Sequence, residues 1–514
     1  MSRPRTVTAL ALGLLAGAST LSTACGTTRQ PPAVSPPSTV SQAKGPRPAL
    51  TQSLDGIFDA PEFTHTTWAV LVAPLEAGEP LYRHNESRLL VPASNLKIVT
   101  LAAAAERLGW NYRFETRLAT EAAVLNGVLT GDLLVLGGGD PTIGRGDRAW
   151  SSVFDEWVDT LKAAGIQRID GRIVGDDDAF EDQRFGLNWA WDDFPYDYSA
   201  PIGALQYNEN VVDLRVTPGT VVGARATAEI LDAASGLSAS SEVVTAAAAS
   251  TVDLDFERFP GASVVKVVGS VPVDAPARVF SVAVDNPTLY FVRALKRALV
   301  ERGIAVTGDA VDIDDVAQTN GTNRIVDPNV FTVLATHLSA PLTEVGTRLM
   351  KVSQNLYAET LLKRLSAGPG PATAKAGRDE MRAILTSWGV TPGEYVIWDG
   401  SGLSRRDYIA PTALVKVLTV MARDARHADP FAATLPVGGL DGTLDTRMKG
   451  SSAEGRVRAK TGSMSQVRTV AGYVTTADGQ TLVFAIMANG FDVSSSKVDD
   501  ATDRALAVLA SFER

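Results

Sequence analysis

The C-terminal part of the chain sets the tightest limit on its fold. Three β-prone runs follow one another there: R-V-R-A-K-T-G (456–462), V-R-T-V-A-G-Y-V (467–474) and T-L-V-F-A-I-M-A-N (481–489). Asp478-Gly479 turns the last pair, so the three predict an antiparallel meander. Residues 497–512 then show helical spacing, with Leu506, Leu509 and Ala510 on one side. A meander needs cover for its apolar faces, and matching elements stand at the other end of the chain. T-T-W-A-V-L-V-A-P and L-Y-R-H-N flank a Gly-containing turn and predict a hairpin. The run V-P-A-S-N-L-K-I-V-T-L-A-A-A-A-E-R-L-G (91–109) then predicts a long apolar helix, with Pro92 and Ser94 as start signals and Gly109 as the stop. These pieces imply an α/β (α+β) domain, an antiparallel sheet flanked by helices, whose halves meet in space although they lie far apart in sequence.

The intervening sequence has a different texture. Residues 115–212 are rich in Gly, Asp and Trp and include G-D-L-L-V-L-G-G-G-D-P-T-I. Residues 213–275 turn Val-, Ala- and Ser-rich and alternate, as in A-S-V-V-K-V-V-G-S-V. The stretch N-P-T-L-Y-F-V-R-A-L-K-R-A-L-V-E-R-G-I restores helix, ended by Gly303. The expected division is a main domain made of 51–114 and 276–514, an insertion domain over 115–212, and a nested β-rich module over 213–275.

The first 25 residues have the form of an export signal. Arg3 and Arg5 give the positive start, residues 7–18 the apolar core, and Ser22-Thr23-Ala24 the small-residue cleavage site. Cys25 follows and is the only cysteine, so no internal disulfide forms. Two readings stand: Cys25 carries a lipid that attaches the protein to the membrane, or the protein is secreted with a free thiol. Residues 26–50 are rich in Pro, Ser, Thr and Gln and read as a tether. No apolar run reaches the roughly 18 to 20 residues of a membrane-spanning helix. With 45% apolar and 21% charged residues the body is ordinary globular protein. A net charge of −10 offers no basic footprint and excludes nucleic acid as a partner class.

Three motifs carry chemistry. Ser94 and Lys97, three residues apart on a helix, share one face about a turn apart. A serine hydroxyl becomes a good nucleophile when a base removes its proton. A lysine serves as that base only when neutral, and lowering its pKa by roughly three from the usual value of about 10.4 takes about 4 kcal/mol. Burial among Leu96, Ile98 and Val99, the positive helix end and a second cation nearby all act in that direction. The plainer reading makes Ser94 a helix cap, and the same spacing recurs at Ser41/Lys44 and Ser494/Lys497. The second motif is Ser353 and Asn355 in M-K-V-S-Q-N-L-Y-A-E: either a cap for residues 356–365, or a cleft wall where Ser353 relays a proton and Asn355 binds an amide. The third is Lys460-Thr461-Gly462 before Ser463. On an edge strand the glycine admits a ligand backbone, Lys460 and Thr461 grip a carboxylate, and the amides of Ser94 and Ser463 form an oxyanion hole.

Together, in this order and on these elements, the motifs match the penicillin-recognising serine enzymes. From about Trp68 to the C-terminus the chain resembles the low-molecular-mass class C penicillin-binding proteins, the D-alanyl-D-alanine carboxypeptidase/endopeptidase family. The resemblance rests on P-A-S-N-L-K, G-G-G-D-P-T, N-W-A-W-D-D, S-Q-N-L-Y-A-E, D-G-S-G-L-S, L-P-V-G-G-L-D-G-T-L and A-K-T-G-S. The long insertion between the first two motifs is typical of that branch, and Gln354 stands where the family often has Asp. The resemblance implies a penicillin-binding, β-lactamase-like fold and a serine peptidase acting on peptidoglycan stem peptides outside the plasma membrane. Ser94 is then the nucleophile, Lys97 its base, and Ser353, Asn355 and Lys460 further catalytic groups. Thr461, Gly462 and Ser463 bind substrate, no metal or organic cofactor takes part, and β-lactams acylate Ser94. The alternatives are a β-lactamase or esterase on the same scaffold and a non-catalytic wall-binding protein. His65, His84, His337 and His427 are scattered without H-E-x-x-H, which speaks against a zinc peptidase.

Overall fold

Every position of T-L-V-F-A-I-M-A-N except its two ends is buried, and the reason is that helices cover both faces of its sheet. A computed structural model describes residues 46–144, 152–316, 331–366, 368 and 370–513. The export signal, Cys25 and the tether up to residue 45 lie outside the described residues. The elements around the sheet are, in chain order, helix α1 (Pro46–Phe58), strands β1 (Thr67–Pro74) and β2 (Tyr82–His84), and helix α2 (Leu96–Leu108). After the inserted region come helices α3 (Leu342–Lys351), α4 (Asn355–Arg364) and α5 (Pro411–Arg423). Strands β3 (Val457–Met464), β4 (Val467–Thr475) and β5 (Thr481–Asn489) and helix α6 (Ser495–Ala510) complete the set.

The five strands run in the order β2-β1-β5-β4-β3, all antiparallel, with Trp68 opposite Ala488 and Lys460 opposite Ala471. The N-terminal hairpin thus pairs with the C-terminal meander, and the K-T-G strand β3 is an edge. On one face Val70, Val72, Phe484 and Ile486 pack with Leu50, Leu54 and Phe58 of α1 and Leu506 and Leu509 of α6. On the other, Ala69, Leu71, Ala471 and Ala485 pack with Ile98 and Ala102 of α2 and Leu414 and Leu418 of α5. Helix α1 starts inside the stretch read as tether. Leu50, Leu54, Ile57 and Phe58 recur at helical spacing and bury together, a short signal that the surrounding Pro-rich composition masks.

The inserted region carries its own mixed sheet, in the order Ala310–Asp312, Ile173–Asp176, Leu133–Leu136, Glu115–Thr120, Thr332–Leu338. Its first three strands are parallel to one another and the last two pairings antiparallel. The helix Pro287–Glu301, capped by Asn286 Oδ1 on the Leu289 amide (2.8 Å), packs on this sheet. Strand Arg278–Ala283 pairs with Val211–Thr217 in a three-stranded sheet. Elements between Arg278 and Leu338 therefore join the inserted region, and we place the return to the five-stranded domain near Ser339.

Candidate active site

Helix α2 begins with a tight turn over Ala93–Asn95, and no side chain caps it. Ser94 is free of capping duty, and its hydroxyl lies 2.7 Å from Lys97 Nζ. The turn is fixed from the sheet side. Asn489 Oδ1 accepts from the Val91 amide (2.8 Å), and the Thr469 hydroxyl donates to the Pro92 carbonyl (2.7 Å). Ala93 takes a left-handed φ of 45°, a conformation that a side chain disfavours and that these clamps maintain. Gly462 is what lets the turn approach. A Cβ there would stand 2.2 Å from Thr469 Oγ1, 2.6 Å from the Pro92 carbonyl and 3.0 Å from the Ser94 amide nitrogen. The glycine of K-T-G thus makes room for the chain's own Ser94 segment, where the sequence pointed to the backbone of a ligand.

Lys97 is fully buried. Its Nζ has three neighbours: Ser94 Oγ at 2.7 Å, Asn355 Oδ1 at 2.5 Å and the Ser401 carbonyl at 3.0 Å. The Asn355 amide is oriented by its other end, since Nδ2 donates to the Tyr198 carbonyl (2.7 Å), which accepts only. Two of the three neighbours are therefore pure acceptors, and only the Ser94 hydroxyl has a proton to give. A neutral amine, with two N–H bonds and one lone pair, satisfies all three at once. The ammonium form satisfies them as well, with three donors. Proton transfer between Ser94 and Lys97 leaves no buried group without a partner in either state.

Burial lowers the Lys97 amine to about 7, against the opposing charges of Asp399 and Glu359. Those carboxylates form the layer behind it. Glu359 accepts from the amides of Gly400 (3.0 Å) and Ser401 (2.8 Å), and burial with the neighbouring Asp399 charge raises its pKa. Asp399 accepts from the amides of Gly402 (2.7 Å) and Ser404 (2.8 Å) and from the Trp189 indole (2.9 Å). The D-G-S-G-L-S loop is thus the device that presents the Ser401 carbonyl to Lys97, and Ser401 and Ser404 are themselves fully buried.

The other expected site residues gather on the same side. Ser353, at φ 62°, accepts from Lys460 Nζ (2.9 Å), which also donates to the Thr461 carbonyl (2.7 Å). Burial and the charge of Lys97 hold the Lys460 amine well below its usual range. The Thr461 hydroxyl donates to Thr443 Oγ1 (2.7 Å), and exposed Ser463 follows Gly462 on the edge strand. Helix α4 is capped by Gln354, whose Oε1 accepts from the Leu356 amide, so neither Ser353 nor Asn355 serves as the cap. Sequence reasoning missed Glu359, Asp399, the Ser401 carbonyl, Thr443, Thr469 and Asn489. The Asp-Gly-Ser-Gly run was the one local signal, because closely spaced small residues around an acid mark a loop folded about its own carboxylate.

Among the described residues, three groups of acids and histidines stand close enough to share an ion: Asp55/Asp59/His84, Glu106/Asp424/His427 and Asp177/Asp312/Asp314. None contains a residue of the Ser94 site. The chemistry this arrangement supports is attack by an activated hydroxyl, with a second buried amine and a second hydroxyl beside it.

The model of the D-Ala-D-Ala carboxypeptidase 3 (S13) family matches residues 50–511. The chain is 34% identical over 455 residues to the D-alanyl-D-alanine carboxypeptidase of Actinomadura sp. (strain R39), covering 86% of this chain and 81% of that protein. It is 30% identical over 443 residues to D-alanyl-D-alanine carboxypeptidase DacB of Haemophilus influenzae, covering 84% and 86%. The crystal structure of penicillin binding protein 4 (dacB) from Haemophilus influenzae matches with a TM-score of 0.76 at 26% identity, covering 89% of this chain and 97% of that one. The chain belongs to the D-Ala-D-Ala carboxypeptidase 3 (S13) family.

Proposed function

We propose that this carboxypeptidase cleaves D-Ala-D-Ala ends of peptidoglycan stem peptides through an acyl-enzyme on Ser94. The observation that carries the proposal is the set of three contacts at Lys97 Nζ, which a neutral amine fits with its lone pair on the Ser94 hydroxyl. Ser94 Oγ attacks the carbonyl carbon of the penultimate D-alanine while its proton passes to Lys97 Nζ. The oxyanion lies toward the amides of Ser94 and Ser463, beside Gly462. As the C–N bond breaks, the proton that Lys97 took from Ser94 passes to the leaving amine through the Ser353 hydroxyl, which accepts from Lys460 Nζ. Water then hydrolyses the ester by the reverse route, with Asn355 holding the acyl amide. Lys460 is fully buried, so it acts on substrate through Ser353 and its field, while Thr461 and Ser463 meet the terminal carboxylate.

The same reading makes β-lactams acylate Ser94. Among the described residues no helix is long and apolar enough to cross a membrane, and the N-terminal signal supports work outside it. The test is release of D-alanine from a peptide ending in D-Ala-D-Ala. One D-alanine per peptide, stopped by prior incubation with benzylpenicillin, is expected; no release would reject the assignment.

A second outcome probes the amide at Lys97. Asn355→Asp is nearly isosteric but sets a carboxylate against the amine, which favours the ammonium form and raises its pKa by about 1 to 3 units. Acylation at pH 7 should fall about 5- to 500-fold and recover in part by pH 9. A rate equally low at both pH values would mean that Asn355 does not act through the protonation of Lys97.

A further inference from the structure

We infer that Glu209, which lies in the inserted region, is a positioning residue for the Ser353–Asn355 motif. The inference deepens the catalytic reading above and rests on it.

The argument starts with the backbone. Asn208, Glu209 and Asn210 all take left-handed φ values, 53°, 54° and 56°. Asparagine tolerates that region and here holds it. Asn208 Nδ2 donates to the Val211 carbonyl (2.8 Å), Asn210 Oδ1 accepts from the Tyr207 amide (3.1 Å), and Asn210 Nδ2 donates to the Pro201 carbonyl (2.8 Å). Glutamate has no such aptitude. Strain that surrounding structure enforces on one residue points to what that residue does.

The Glu209 side chain is only 3% exposed and crosses from the inserted region to the two helices that flank Ser353. One carboxylate oxygen accepts from Arg348 Nε in the last turn of α3. The other accepts from Gln354 Nε2 (2.9 Å), the residue that caps α4. The carboxylate thus ties the end of one helix to the start of the next across the short link that carries Ser353. That link needs a tie, since Ser353 is itself left-handed and exposed Val352 contributes no anchor. Gln354 is committed at both ends, Nε2 to Glu209 and Oε1 to the Leu356 amide. One residue to either side of it, Ser353 receives Lys460 and Asn355 receives Lys97. The placement of both hydroxyl and amide therefore depends on a carboxylate supplied by the insertion.

Glu209→Gln keeps the shape but replaces one acceptor oxygen with an NH₂ that must face a donor, Arg348 or Gln354. Gln354 cannot turn over to compensate without losing its cap. Gln354→Ala cuts the same tie from the half-buried side, together with the α4 cap, and leaves the Glu209–Arg348 pair intact, so it keeps the test open if the first variant folds poorly.

The experiment measures acylation by benzylpenicillin on the full chain, counted per folded molecule, with the limiting rate separated from the half-saturating concentration. Each variant should lose at least tenfold in limiting rate with less than a twofold change in half-saturation. The double variant should be no slower than the slower single one, and the pH midpoint should stay that of wild type. A purely structural role would lower the melting temperature yet leave the rate of the folded molecules unchanged. Both single variants acylating within twofold of wild type, or a double variant slowed by the product of the two, would overturn the inference. A wild type that penicillin does not acylate would overturn the catalytic reading itself, and this inference with it.

Discussion

Ser94→Ala is expected to abolish covalent labelling by a fluorescent penicillin and to lower D-alanine release by at least about 10⁴-fold. Among the described residues no neighbouring hydroxyl is placed to substitute. Ser401 and Ser404 are fully buried in the loop behind Lys97, and Ser353 faces Lys460. Ser463 is exposed on the edge strand, where the proposed base does not reach it while bonded to Asn355 and Ser401. The loss is chemical and leaves the fold in place, because Lys97 keeps both of those acceptors once the serine hydroxyl is gone. A melting transition close to that of wild type should accompany the missing band. A band that survives the substitution would reject Ser94 as the nucleophile.

Lys97→Met is expected to slow acylation by about 10³- to 10⁴-fold, the upper part of the range for a positioned general base. Methionine keeps most of the length and removes the lone pair. The two acids behind it, Asp399 and Glu359, accept from backbone amides of the Asp399–Ser404 loop, and neither is hydrogen-bonded to Ser94. Lys460 is held by Ser353 and the Thr461 carbonyl. The residual rate of the variant should also lose the pH dependence near neutrality that Lys97 imposes. A variant within tenfold of wild type would assign the proton to another acceptor.

The two substitutions probe a site whose local parts are legible in the sequence and whose assembly is not. Apolar periodicity and Gly109 mark α2, and turn residues mark the β3–β5 meander, because both signals are local. The edge position of K-T-G needs in addition the pairing of the N-terminal hairpin with β5, which leaves β3 outermost. Reading Ser94 as a cap fails because the helix enters through a tight turn pinned by Thr469 and Asn489, residues whose role depends on strand pairing. The link from Lys97 to the Ser401 carbonyl spans 304 residues, that from Trp189 to Asp399 spans 210, and that from Gln354 to Glu209 spans 145. Contacts of that span leave no periodic trace, and a buried acid such as Glu359 reads in sequence as one more polar position on a helix. Lys97 was expected to be helped toward neutrality by a second cation. Burial, the first of the influences the sequence offers, is the dominant cause, and it prevails over two carboxylates that work against it.

That balance is the centre of the account, and the pH dependence of acylation by benzylpenicillin tests it most directly. Lys97 accepts a proton only when neutral, and its pKa is lowered to about 7. The rate should therefore fall about tenfold per pH unit below the midpoint and level off above it. Between pH 5 and 10 the expected result is a rise centred near 7 in wild type that is absent in Lys97→Met. A rate still climbing at pH 10, as an ordinary exposed lysine would give, or one flat across the range, would contradict it.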